Sequence, residues 1–408
     1  MFFLVISRKW CKGKDDYSVF VDAGFFFGFR RDVKVYHRGG VFPKLLLLFV
    51  SILLFVCSSE ILTRAYHYAR YNRAFFDDRD AGESVVRDER LGWRAREYFH
   101  FRYLRRDERG KAYLASGSTG KWGFRASGDI HDTGRRYRIL IVGDSFTHAL
   151  EVGDKETYYA FLRKALPVEI FAYGAIGYGN LQEFMILDEF IDMIKPDLLL
   201  MQLCTNDFIN NSYELESLSI INNQRMRRPY LNEKGELFYK TPGCVPSLRT
   251  WLVSHSRFFS FLFHRWDLAL AQFEGCKSVE VEIQNSKGVH QKYEAAKVVT
   301  AKVFKKIKER SGKVPVFVFV ADRLEPFYGD FRKISKDTGL VFLDGVAAAV
   351  WEAHGKGEAV FVQDEGHWSP RGHEVAGLAL LTSLKDYLPS FSSQRADDVS
   401  HFKKAKRE

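Results

Sequence analysis

The chain has 408 residues, 46% hydrophobic and 27% charged. That is enough apolar material to bury a core, and it excludes wholesale disorder. The formal net charge of +10 gathers at the ends: residues 1–44 hold nine Lys/Arg against four Asp, and residues 389–408 hold five against three acids. The body carries no basic stripe interleaved with aromatics, so a nucleic-acid surface is a poor explanation of the charge and no nucleic-acid partner is expected.

Residues 1–44 form a basic segment with apolar clusters such as Phe25-Phe26-Phe27 but no sustained period. A start at Val41 would leave an ordinary export leader, so the segment is a candidate for a misassigned start. Leu45 to Cys57 is apolar apart from Ser51, and Ile61-Leu62 extends the run past Ser58-Ser59-Glu60. The inner run has the length of a signal-peptide core, whereas a spanning helix needs about 17–25 residues, which the flanks supply. Residues 45–63 therefore read as a transmembrane anchor or signal sequence, with the uncleaved anchor preferred to the cleaved signal and to a buried core helix. Arg8, Lys9, Lys12, Lys14, Arg30, Arg31, Lys34, Arg38 and Lys44 all precede the run. Positive charge stays inside, which predicts a single pass with the body outside the cytoplasmic membrane.

Residues 64–135 are charged and Arg-rich and read as an irregular approach segment packed on the domain edge. Leu91-Gly92-Trp93-Arg94 and Gly123-Phe124-Arg125 mark turn-bounded short strands or loops within it. Gly117-Ser118-Thr119-Gly120-Lys121 fails as a phosphate loop on glycine spacing and on Trp122. From 136 to 388 the pattern changes. Strands are predicted at Tyr137–Val142, Val168–Ala172, Leu198–Leu203, Val314–Val320 and Leu340–Leu343. Helices are predicted at Thr157–Leu166, Asn180–Ile194, Tyr293–Arg310, Pro326–Thr338 and Arg371–Tyr387, the last entered through Ser369-Pro370. Unalternated apolar strands separated by helices indicate an α/β domain, a doubly wound parallel sheet of about five strands. Its active groups belong at the carboxyl ends of the strands. Residues 208–290 interrupt the alternation as an insertion after the third strand, helical in its middle. The aromatics of 251–266 are open to two uses, a hydrophobic core or a sugar-stacking wall. Residues 389–408 read as a disordered tail.

The five cysteines, Cys11, Cys57, Cys204, Cys244 and Cys276, form no CxxC pair. Val56 precedes Cys57 where lipid attachment expects a small residue, and Cys204 reads as a buried core residue. Spacing alone does not pair Cys244 with Cys276. No His-Glu-x-x-His motif is present, and no metal or cofactor is expected.

Three segments sit where chemistry is done. Gly143-Asp144-Ser145 follows the first apolar strand, Asn206-Asp207 follows the third, and Asp364-Glu365-Gly366-His367 lies ahead of the last helix. A serine hydroxyl needs a base to take its proton, and a histidine base needs a carboxylate to hold its tautomer. That assigns Ser145 as nucleophile, His367 as base and Asp364 as its orienter. The oxyanion then needs fixed donors, which the Ser145 N–H, a glycine N–H from Gly174-Ala175-Ile176-Gly177 and the Asn206 amide can supply. Taken singly, the same residues also read blandly, as a helix N-cap at 144–145 and a turn at 206–207. His148 and His373 read as structural.

In order and placement these four segments resemble the blocks of the SGNH (GDSL-type) hydrolase superfamily, in a membrane-anchored bacterial member. Phe146 stands where leucine is usual, and Cys204 where the third block has its glycine. The resemblance covers roughly 136–210 and 314–388. It implies Gly177 as the oxyanion glycine, beside Ser145 and Asn206, and a serine esterase working through an acyl-enzyme. With the anchor, it points to O-acyl groups of cell-envelope or extracellular polysaccharide. An O-acetyltransferase on the same glycans, a lipid esterase and a non-catalytic glycan-binding envelope protein remain as alternatives.

Overall fold

The computed structural model describes residues 41–71, 84–125, 137–219, 222, 226–232, 234–242, 247–273, 279–286, 289–363, 366–385 and 387–388. Expectations for 1–40, for Cys11, Cys244 and Cys276, for Asp364 and for the tail from 389 lie outside these residues.

The first element is a single long helix, α1 (Val41–Tyr71). Within Val41–Tyr66 an 18-residue stretch reaches a mean hydropathy of 2.6, and none of that stretch is buried. Apolar side chains such as Phe42, Leu47, Leu54 and Leu62 are exposed around its circumference. A core helix would bury them, so this one has the length and surface of a membrane span.

The approach segment is more ordered than expected over its described residues. β1 (Val85–Asp88) and β2 (Gly92–Ala95) form one antiparallel hairpin. β3 (His100–Arg106) and β4 (Ala112–Ser118) form a second. Trp93 and Phe124 enter the main core, and Phe99, Phe101 and Ala115 make a small one of their own.

Five parallel strands follow: β5 (Arg138–Gly143), β6 (Glu169–Gly174), β7 (Leu198–Leu203), β10 (Val316–Val320) and β11 (Val341–Phe342). Their order is β11-β10-β7-β5-β6. Every residue of β6, β7 and β10 is buried, as unalternated apolar strands require when helices cover both faces. One face is covered by α4 (Asn180–Ile194), α10 (Gln291–Ser311) and α11 (Phe327–Thr338). The other is covered by α3 (Tyr158–Ala165), α12 (Gly345–Gly355) and α13 (Pro370–Leu384). Helix α12 was not expected from its Ala-rich sequence. A short turn of helix, α2 (Ser145–His148), follows β5.

The insertion opens with two short helices, α5 (Asp207–Asn210) and α6 (Tyr213–Glu216), and a hairpin of β8 (Arg228–Leu231) and β9 (Leu237–Lys240). It continues with α7 (Ser247–His255), α8 (Arg257–Phe273) and α9 (Val279–Asn285). The β8 hairpin is tied to α6 by a buried Arg228–Glu216 ion pair at 3.1 Å, with the Tyr230 hydroxyl donating to Glu216 at 2.8 Å, and to α4 of the domain by Arg228 donating to the Gln182 side-chain oxygen. The Arg228 guanidinium also lies 4.9 Å over the Trp93 ring.

Candidate active site

The chain leaves β5 for β6 on one side and returns to β7 on the other, so β5 is the topological switch point of the sheet. Crevices of doubly wound sheets open there, at the carboxyl ends of the strands. Ser145 follows β5, the Gly174–Gly177 loop ends β6, and Asn206 follows β7. The sheet itself gathers three of the expected segments at one edge.

Ser145 is the first residue of α2. Its turn is built by Asp144, whose carboxylate accepts from the Phe146 N–H at 2.9 Å as an N-cap. The cap and the candidate nucleophile thus share one turn. Gln202, the one polar residue in β7, accepts from the Asp144 N–H (3.1 Å) and the Thr147 hydroxyl (2.8 Å). Gly143 and Gly174 pair across β5 and β6. A Cβ on Gly174 would collide with the His148 N and the Asp144 carbonyl, so the second block packs directly on the nucleophile turn.

His367 Nε2 lies 2.9 Å from Ser145 Oγ. The two residues are 222 positions apart, and the fold brings the expected nucleophile and base into contact. Phe146 packs its ring 5.0 Å from both the His367 ring and the Trp368 ring. A larger ring in place of leucine here forms the wall behind the imidazole. The His367 loop closes on itself through Val362 N–H donating to His367 O at 2.8 Å, with Gly366 at φ +72° making the turn. His367 Nδ1 is buried and has no hydrogen-bond partner among the described residues. Asp364 and Glu365 lie outside those residues.

Gly177 adopts φ +65°, a region that favours glycine. Its carbonyl accepts from Asn210 Nδ2 at 3.2 Å, and the neighbouring Ile176 carbonyl accepts from Trp93 Nε1 at 2.9 Å. The loop is therefore pinned from α5 and from the N-terminal hairpin. Asn206 caps α5 without a side-chain cap bond, and its Oδ1 is buried and unpaired among the described residues.

Beneath the crevice lies a group of buried acids. Burial pushes the Asp144 carboxyl up to about 6. Asn180 Nδ2 bridges Glu183 (3.0 Å) and Asp207 (2.8 Å), and burial with mutual repulsion raises both well above the ordinary carboxylate range. Asp322, two residues beyond β10, accepts from the Thr205 hydroxyl (2.8 Å) and from Cys204 Sγ (3.4 Å). So Cys204, half-buried at the strand end, is hydrogen-bonded as a thiol in the third block. Asp322, Gln202 and Trp93 were not singled out from sequence. A polar residue inside an all-apolar strand and an acid just past a strand end were the signals that could have found the first two.

His148 and His373 play no part in the pair. Burial, then the Arg125 charge, takes each down to about 3, and both are neutral. His373 Nδ1 accepts from the Tyr158 N–H at 3.2 Å, and the two His148 nitrogens are buried without partners among the described residues. No group of three or more His, Cys, Asp or Glu suited to a metal ion occurs among the described residues.

The approach segment touches three of the four segments gathered here. Trp93 holds the Gly177 loop. Arg125, fully buried, donates to the carbonyls of His148 (2.6 Å), Ala149 (2.7 Å) and Val152 (2.9 Å) behind the nucleophile turn, and to Asp154 at 2.9 Å. The β3–β4 turn holds the histidine loop: Gln363 N–H donates to Arg106 O (2.9 Å), and Val360 N–H donates to Glu108 Oε1 (2.8 Å).

The architecture is a doubly wound α/β fold with a serine–histidine pair at its switch point. No protein-family model matches the chain, and no curated protein matches it in sequence. Among solved structures it is similar to a family 3 carbohydrate esterase of Clostridium thermocellum, at 12% identity over 63% of this chain and 99% of that one, TM-score 0.35. It is also similar to a catalytic mutant of Axe2, an acetylxylan esterase from Geobacillus stearothermophilus (11%, 65% and 100%, TM-score 0.33). A third is the psychrotrophic esterase EstA from Pseudoalteromonas sp. (12%, 62% and 98%, TM-score 0.33).

Proposed function

We propose that this protein is a serine ester hydrolase held by α1 in a bacterial cytoplasmic membrane, with its catalytic domain on the outer side. The observation that carries the reading is the 2.9 Å contact of Ser145 Oγ with His367 Nε2 at the switch point. In this reading Ser145 Oγ attacks the acyl carbonyl carbon while His367 Nε2 takes its proton. The oxyanion is received by the Ser145 N–H, the Gly177 N–H and the Asn206 side-chain amide. His367 then protonates the leaving alcohol, and a water activated by the same imidazole releases the acid. Asp364, three residues before His367 in the sequence, is the carboxylate assigned in this reading to orient His367. The sequence resemblance and the anchor together support O-acyl groups of cell-envelope or extracellular polysaccharide as substrate.

The test is hydrolysis of p-nitrophenyl acetate and longer acyl esters by the full chain in detergent, beside Ser145→Ala and His367→Ala. Turnover of short esters, lost in both variants, with labelling of Ser145 by a serine-directed phosphonate, is the expected result. Folded protein with neither turnover nor labelling would overturn the reading in favour of a glycan-binding protein. Labelling with turnover only after addition of a glycan acceptor would make it an O-acetyltransferase.

A further inference from the structure

Helices α7 and α8 of the insertion show a surface that the catalytic reading does not use. In α8, Phe258, Phe261, Leu262, Arg265 and Trp266 follow the i, i+3, i+4, i+7, i+8 spacing and share one face. Phe261, Leu262 and Trp266 are exposed, Trp266 by 61%. On α7, Leu248 (64% exposed) and Trp251 (56%) stand one turn apart, and His255 stacks on Trp251 with ring centroids 4.8 Å apart. Arg249 over the Phe263 ring at 4.5 Å joins the two helices. These tryptophans are therefore not in a hydrophobic core.

The same face of α8 begins against α1. Phe258 meets Phe55 of α1 edge-on at 6.1 Å. Glu60 of α1 caps the start of α8: it accepts from the Ser256 hydroxyl (2.8 Å) and from the backbone N–H groups of Arg257 (3.1 Å) and Phe258 (2.8 Å). At about 1.5 Å per residue, Glu60 lies about 28 Å along the helix from Val41, against a hydrocarbon core of about 30 Å. The α8 N-terminus is thus fastened where α1 leaves the bilayer, with Phe55 and Phe258 just inside it. Residues 247–273 carry three arginines and a single aspartate among seven aromatics. Tryptophan, arginine and aliphatic side chains on one face are the composition of a helix lying at the headgroup boundary.

We propose that α7 and α8 form an interfacial membrane platform: they lie in the headgroup and upper acyl region beside α1, with Leu248, Trp251, Phe261, Leu262 and Trp266 inserted and the exposed Arg265 at the phosphates. The inference rests on the reading of α1 as a span. The insertion then gives the body a second attachment to the bilayer.

The experiment places the full chain in phosphatidylcholine–phosphatidylglycerol vesicles whose acyl chains carry bromine both near the headgroup end and near the bilayer centre, and reads quenching of tryptophan fluorescence. Wild type is compared with a Trp251→Phe/Trp266→Phe variant, and with that variant carrying Leu53→Trp in α1. The expected result is quenching in wild type, loss of at least half of the quenchable fraction in the double variant, and its return with Leu53→Trp. An unchanged quenchable fraction in the double variant, with Leu53→Trp quenched, overturns the platform while leaving the anchor. No quenching of Leu53→Trp overturns the anchor, and the platform with it. If cross-linking of cysteines placed at 261 and 262 instead joins two copies, and quenching at Trp251 and Trp266 is absent, the face is an interface between copies and the platform is wrong. Circular dichroism of each variant checks that the fold is kept.

Discussion

Replacing Arg125 by methionine tests whether the N-terminal hairpins hold the catalytic edge or merely lie on it. The side chain is fully buried, and its guanidinium serves three carbonyls, His148, Ala149 and Val152, and the carboxylate of Asp154. Methionine fills much of the same volume and donates nothing. The His148 and Val152 carbonyls lose their donor at about 1–3 kcal/mol each, the Ala149 carbonyl keeps the Val152 N–H at 3.3 Å, and Asp154, one-third exposed, rehydrates. Removing the arginine also relieves the desolvation of a buried charge, which offsets part of the loss. The net destabilisation is about 3–5 kcal/mol. At about 2–4 °C per kcal/mol for a domain of this size, Tm falls by about 10 °C. Activity falls as well, because Ala149 ends the nucleophile turn in the left-handed region (φ 52°, ψ 47°). A non-glycine residue there costs about 1–2 kcal/mol and depends on its surroundings to stay. Relaxation of that turn shifts Ser145 against His367, and a displacement of about 1 Å costs up to about 10²-fold in kcat. The assay is thermal unfolding of the full chain in detergent with ester turnover measured alongside. A Tm within about 2 °C of wild type, at unchanged kcat, would refute the reasoning, since the turn would then hold itself.

Asn206→Ala removes one oxyanion donor and should lower kcat by about 10²–10³-fold, with phosphonate labelling slowed and Tm nearly unchanged; equal kcat in the variant would take Asn206 out of the oxyanion hole. Glu183→Gln addresses the buried acids. Glu183 has its folded pKa raised, so its favourable, protonated state is fully present below the unfolded carboxylate pKa and is lost as pH rises through the folded one. The glutamine has no proton to lose, so its Tm should gain on wild type progressively from pH 5 upward; parallel Tm curves would sink this account. His148 has the opposite sign. Its pKa is depressed to about 3, so wild type loses stability as pH falls below about 6.5. His148→Phe should match wild type at pH 8 and exceed it in Tm at pH 4, measured by the same scans. Trp93→Phe withdraws the donor from the Ile176 carbonyl and should lower kcat about 10-fold through the Gly177 loop, a split from KM that steady-state kinetics resolves.

Much of the α/β body was legible residue by residue. Asn180–Ile194 and Leu198–Leu203 have the bounds read from sequence, because helical period and unbroken apolar runs are local signals that burial on both sheet faces imposes directly. Ser145 and His367 were legible for a related reason: each sits in a short glycine-bearing turn at the edge of a periodic element. The span in α1 needed only length and hydropathy. Other features had no local signature. The sheet order that makes β5 the switch point is a matter of pairing between strands far apart in the chain. Gln202 is a single polar residue whose two partners lie 55 and 58 positions away. Residues 84–125 looked irregular because their strands are short and their contacts run to other segments: Trp93 to Ile176, Glu108 to Val360, Arg125 to Ala149. Likewise the aromatics of 251–266 read as core or sugar wall until Glu60 and Phe55 tied their helix to α1. Local sequence sets most elements of the α/β body and marks Ser145 and His367 as the candidate nucleophile and base, since those signals depend on near neighbours. Tertiary structure alone decided what holds them 2.9 Å apart, since backbone groups aimed at side chains many positions away leave no period to read.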